Sequence, residues 1–189
     1  GEGMNKPTAS GGMAYTGRLE WLPFGTFKNG GDYRESDLVR EETPKLSLGS
    51  AYYHNQDAYM LIGGSGTGQL WQNRASNISA LYVDGVFKYD GFSLLAEYAL
   101  REVDNEIIEL NNVLTYSRLA GGQGFSIQGG RFISEKTEPT FRFSYLDPSN
   151  RLQVAKSNFI QQNTYSLGLN HFLRGHHLKI QFELNLVNE

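Results

Sequence analysis

No cysteine occurs in the 189 residues, which excludes disulfide frameworks and thiolate metal sites and leaves the redox compartment open. Also missing is any run of the roughly 18 apolar residues that a spanning helix needs. With a mean hydropathy of −0.44, a helical membrane protein is excluded. A transmembrane β-barrel is not, because its strands alternate lipid-facing and lumen-facing residues and average to a soluble-looking value. Excess positive charge is absent as well: the formal charge is −3, so there is no basic footprint for nucleic acid. The chain starts "GEGMNKPTAS" without an initiator methionine or a signal peptide, and is expected to be a mature or partial chain.

What is present is alternation. Residues 81–100 read "LYVDGVFKYDGFSLLAEYAL", two alternating runs joined by Asp90-Gly91, the strongest short-range signal for a two-residue β-hairpin. Pairing Tyr89 with Phe92 sets Phe87 against Leu94, Gly85 against Ala96, Val83 against Tyr98 and Leu81 against Leu100. One face is then apolar, while the other opposes Tyr82, Asp84, Val86 and Lys88 to Ala99, Glu97, Leu95 and Ser93. Six further period-2 segments are expected at about 13–22, 45–54, 124–133, 140–146, 164–172 and 177–186. In the last of these, Leu178, Ile180, Phe182, Leu184 and Leu186 alternate without error with Lys179, Gln181, Glu183 and Asn185, a pattern that fits a half-buried strand and no helix.

The connections after the third, fifth and seventh strands are short, whereas 55–77, 102–123 and 147–163 are long. Short turns at one end and long loops at the other are the pattern of an outer-membrane barrel. By parity the connection Pro23–Pro44 falls on the turn side, for which it is too long. Within 102–123, Val103, Ile107, Leu110 and Leu114 stand at helical spacing, so a short helix is one expectation and an irregular extension of the strands the other.

Two covers fit the apolar faces: a second sheet, as in a sandwich, or lipid. Strands of about ten residues match a tilted bilayer crossing better than the five or six usual in soluble sheets. Aromatic residues near strand ends (Trp21, Tyr52, Tyr53, Tyr89, Phe92, Phe172) suit interfacial girdles. The opposite face, rich in charge, Gly, Ser, Asn and Gln, suits a watery lumen.

The segments "GRLEWLPFGTF", "GDY", "ETPKLSLGSAYYHNQDA", "LYVDGVFKYDGFSLLAEY", "GGQGFSIQGGRFI", "EPTFRFSYLDPSN" and "LGLNHFLRGHHLKIQ" resemble, in order and spacing, the phosphate-selective porin O and P family in its Bacteroidetes-type branch, over residues 14 to 186. The resemblance implies an all-β, antiparallel transmembrane β-barrel. About eight of sixteen strands would be present, as a single barrel domain (1–189) lacking N-terminal strands and the closing C-terminal strand. It implies passive diffusion of small hydrophilic solutes, with anions such as phosphate the expected preference. It also implies location in the bacterial outer membrane among lipid and lipopolysaccharide, and assembly as a homotrimer or with other outer-membrane proteins. This chain ends "NLVNE", without the terminal aromatic residue of the family.

On the faces assigned inward, six cations (Arg18, Lys45, Lys88, Arg101, Arg142, Lys179) stand against four anions (Glu20, Asp84, Glu97, Glu183). A mild excess of Arg and Lys favours anions in a pore, unless the charges pair across strands. Asp84 opposite Glu97 is a like-charge cross-strand pair, which is destabilising and asks for a compensating cation: Lys88, Arg101, an Arg from a neighbouring strand, or a bound ion. Other features carry less. "GGSGTG" at 63–68 lacks the Lys-Ser/Thr of a phosphate loop. His171, His176 and His177 surround a turn without a carboxylate at ligand spacing. Asn77-Ile78-Ser79 is a glycosylation sequon of little meaning in such a setting. Ser50 and His54 share a face, but no third group orients them for catalysis. The expectation is no enzyme, no cofactor, no metal and no nucleic acid. The rival readings are a structural barrel subunit with a plugged lumen and, behind it, a soluble β-sandwich that binds carbohydrate.

Overall fold

The computed structural model describes residues 12–58, 76–110, 113–116, 120–155 and 159–188, without side chains for 107–110, 113–116 and 155. Ten strands and one short helix follow in the order β1 (Ala14–Trp21), β2 (Lys45–Ala58), β3 (Ser76–Tyr89), β4 (Phe92–Val103), β5 (Ile107–Leu110), β6 (Val113–Tyr116), β7 (Gly122–Arg131), β8 (Thr137–Pro148), α1 (Asn150–Ala155), β9 (Gln162–Arg174) and β10 (Leu178–Asn188). Eight of the strands form one antiparallel sheet in the order β1-β2-β3-β4-β7-β8-β9-β10, and β5 pairs with β6 alone. The large sheet is a meander with β1 and β10 at its edges; it is not closed. Among the described residues no helix is long and apolar enough to cross a membrane.

Strand lengths of 8 to 14 residues in this sheet follow from unbroken alternation, since a period of two keeps one set of side chains on each face of the pleat. The hairpin register is as read from the sequence, from Tyr89 opposite Phe92 to Leu81 opposite Leu100. Asp90 and Gly91 have φ of 46° and 75°. Both signs are positive, as the tight I′ turn requires, and its twist matches the twist of the strands it joins. The 102–123 connection forms the β5–β6 hairpin instead of a helix: Ile107 pairs with Tyr116 and Leu110 with Val113. Short apolar runs fit both periods; β5 and β6 form a two-stranded sheet of their own, neither the helix nor an irregular extension of β4 and β7. The glycine-rich segment 63–68 lies outside the described residues.

The turn-side connections after β3, β7 and β9 are short, whereas the described connections at the other end carry the β5–β6 hairpin and α1. The exception is the β1–β2 connection. Its residues Pro23–Pro44 include a kinked 3-10 turn at Lys28–Tyr33, with Asn29 and Gly30 in the left-handed region. That kink turns the segment back across one face of the sheet, where Phe27, Ser36, Asp37 and Glu41 are buried.

Candidate functional site

The register sorts the sheet into two unlike faces. One row of directly opposed residues crosses all eight strands as Trp21, Leu48, Gly85, Ala96, Ile127, Phe143, Tyr165 and Leu186. The next row runs Leu46, Phe87, Leu94, Gly129, Phe141, Leu167 and Leu184. The band is apolar and in large part exposed, with Trp21, Phe141, Leu167, Phe182, Leu184 and Leu186 among its uncovered side chains. Towards the loop end it gives way to His54, Ser79 and Glu102, and towards the turn end to Arg131 and His171. Trp21, Tyr52, Tyr89 and Phe92 lie on this face. Tyr53 and Phe172 do not: parity places them on the other face. There Tyr53 packs on the Ala58, Ile78 and Val103 cluster, and Phe172 is 1% exposed beside Phe132.

The opposite face is hydrophilic. A row across it reads Glu20, Gly49, Asp84, Glu97, Ser126, Ser144 and Thr164. All ten charged residues singled out from the sequence (Arg18, Glu20, Lys45, Asp84, Lys88, Glu97, Arg101, Arg142, Lys179, Glu183) fall on this face by register. Their roles differ. The Asp84–Glu97 conflict is resolved from β1, where Arg18 donates to both Asp84 oxygens at 2.5 and 2.8 Å. The guanidinium crosses β2 to do so, and it passes over Gly49, whose missing Cβ would collide with both partners. Arg142 likewise spans β9 to Glu183 at 2.7 Å. Glu20 accepts from Ser47 Oγ at 3.0 Å and from the Tyr33 hydroxyl at 3.1 Å. Glu97 accepts from Ser126 at 3.4 Å, and the Lys45 ammonium donates to the Phe24 carbonyl at 3.0 Å. The Lys179 ammonium lies 6.0 Å from the Phe172 ring centre. Arg101 stands at the loop end of β4.

Lys88 is the most deeply enclosed of the ten, 1% exposed. Its ammonium donates to the carbonyls of Gly31, Arg34 and Ser36 at 2.6, 2.6 and 3.0 Å. Three donors meet three acceptors, so burying the charge leaves no hydrogen of the ammonium unsatisfied. The segment carrying those carbonyls is tied down along its length. Ser36 donates to Glu138 at 2.5 Å, and Glu138 also accepts from Asn170 at 3.0 Å and Ser93 at 3.4 Å. Asp37 accepts from the Gly91 amide at 2.8 Å. Glu41 accepts from the Lys28 amide at 2.6 Å. Arg40 reaches the Ser134 carbonyl at 3.0 Å and lies over Phe132. Every wall residue in this clamp sits on the polar face or in the turns beside it. Ser36, Asp37, Glu41 and Glu138 were not singled out from the sequence; the signal that pointed to them was the excess length of Pro23–Pro44.

The remaining candidates do not assemble into a catalytic or metal centre. His54 Nδ1 is 3.0 Å from Ser79 Oγ, so its partner is across the ladder and not Ser50. Thr137 Oγ1 is 3.0 Å from His171 Nδ1. Among the described residues no group of three or more His, Asp or Glu could hold a metal ion. The Tyr33 hydroxyl is held above its usual range by its bond to Glu20. No family model, curated protein or solved structure matches the chain.

Proposed function

We propose that this sheet is part of an outer-membrane β-barrel that serves as a passive channel for small hydrophilic solutes, with its apolar face in lipid and its polar face towards a water-filled lumen. The observation that carries the reading is the unlikeness of the two faces. A Leu or Phe left in water forgoes about 1.5–3 kcal/mol, and here such side chains lie exposed or half-exposed in rows across a single layer. Among the described residues no second sheet packs on them. Patches of that extent mark a partner or membrane surface. The strand lengths of 8 to 14 residues, the aromatic side chains towards the strand ends and the division into turn and loop ends fit a bilayer crossing. The resemblance to phosphate-selective porins O and P points the same way.

One observation favours a second reading, a structural subunit with a plugged lumen: the segment Pro23–Pro44 lies on the polar face. Heat-modifiable migration of the full-length protein in detergent gels tests the barrel. Planar-bilayer conductance under a KCl gradient, before and after adding phosphate, tests the channel. Heat-modifiable protein that conducts supports it, and block by phosphate would support the anion preference expected from the sequence. Folded protein that never conducts supports the plugged subunit.

A further inference from the structure

The lumenal charges as read from the sequence favour anions by six to four, yet two of the cations are bonded to carboxylates and Lys88 is enclosed. The exposed charges on this face include the tip of the segment folded over it, where Tyr33 is 76% exposed and Arg34 and Glu35 are exposed beside it. Between that tip and the sheet lies a recess of about 300 Å3. Its carboxylates are Glu20, Asp32, Glu35, Asp84 and Glu97. Only Arg18 and Arg34 oppose them. A second recess, of about 280 Å3, opens on the other side of Glu35, where Arg142 and Lys179 balance Glu35 and Glu183. Glu35 thus borders both.

We propose that Pro23–Pro44 is a fixed constriction of the pore and that its tip, Asp32, Tyr33 and Glu35, sets a preference for cations over anions. The inference rests on the porin reading, because only in a barrel does the polar face enclose a lumen. Fixed is the operative word. The ammonium of Lys88 binds backbone carbonyls on both sides of the tip, and Glu138 and the Gly91 amide hold Ser36 and Asp37 behind it. A segment held at so many points narrows the lumen permanently and does not open and close as a gate. Its acidic surplus acts where a passing ion has the least water around it, and fields are strongest there.

The test uses the full-length protein in planar bilayers under a KCl gradient, with Asp32→Asn, Glu35→Gln and Tyr33→Ala. None of the three removes a backbone carbonyl that Lys88 uses, and heat-modifiable migration checks that each variant folds. The wild type is expected to prefer K+ over Cl−. Each neutralisation should lower that ratio several-fold, because one unit charge about 7–10 Å away in water favours the cation and disfavours the anion by about two- to threefold each. Tyr33→Ala should raise single-channel conductance. If the wild type conducts and the three variants match it in conductance and reversal potential, this inference is overturned while the porin reading stands. A wild type that prefers Cl− overturns it too. A folded, silent wild type that begins to conduct when 30–35 is shortened still places the constriction in this segment. If both stay silent while both show heat-modifiable migration, both readings fall.

Discussion

At the residue scale, glycine decides which charges can meet. Gly49 is flanked on the polar face by Glu20 and Asp84, and the absence of its side chain is what lets Arg18 reach across a strand. The bridge itself is partly exposed, so it contributes no more than about 1 kcal/mol. Losing it also leaves Asp84 and Glu97 opposed, a further destabilisation of a few tenths to 1 kcal/mol. Gly49→Ala is therefore expected to lower stability by about 1–2 kcal/mol. Gly17→Ala, where an added Cβ meets nothing within 4 Å, should be near neutral. Urea midpoints of the two variants in the same lipid compare them directly, and equal midpoints would deny Gly49 this role. His176 provides a second prediction. Burial first, then the charges of Arg34, Lys88, Lys179 and His177, hold its pKa below the ordinary 6.5. The unfolded chain therefore binds the proton more readily than the folded one. Stability should be unaffected by this group above pH 6.5 and should fall as the pH drops through that value, an effect that His176→Gln removes. A thermal melt series in pH on both proteins reads it.

Elements obey their nearest neighbours. The β3–β4 hairpin could be written down from the chain residue by residue, because alternation defines the faces and Asp90-Gly91 defines the register. Gly91 has a φ of +75°, and an added Cβ would also press on the Arg40 guanidinium. An L-residue in that region costs roughly 1–2 kcal/mol, and Gly91→Ala should lose at least that much, with faster proteolysis of the adjoining Pro23–Pro44 segment as Arg40 is displaced. Cleavage at the wild-type rate would separate the turn from the segment. The β5–β6 hairpin was less legible. Apolar residues at 103, 107, 110 and 114 satisfy a helical period over so short a window, and only pairing with a second strand distinguishes the two. Tyr53 and Phe172 show the limit of position as a guide: both lie near strand ends, yet parity and not distance from the end decides which face they serve.

For the whole molecule, the question is what covers the apolar rows. If lipid does, Leu184→Arg should cost about 2–4 kcal/mol, the price of an arginine near the bilayer midplane. It should also lower the yield of protein folded into vesicles. On a water-exposed sheet the same change at a residue already 62% exposed would be neutral or helpful to solubility. Glu183→Gln, its neighbour on the other face, should leave folding into vesicles nearly unchanged, since it removes one exposed ion pair.

The amino-acid sequence by itself determined the antiparallel all-β class, the division of the large sheet into an apolar and a polar face, the β3–β4 register and the like-charge pair at its centre. All of these depend on residues one or two apart, or on a two-residue turn, and the pleat converts such spacing directly into geometry. Only the tertiary structure decided which cation answers Asp84, because Arg18 is 66 residues away and reaches it over an intervening strand. Only the tertiary structure, too, enclosed Lys88 under the Pro23–Pro44 segment. There the partners are backbone carbonyls, which every residue carries and which leave no signature in the order of side chains.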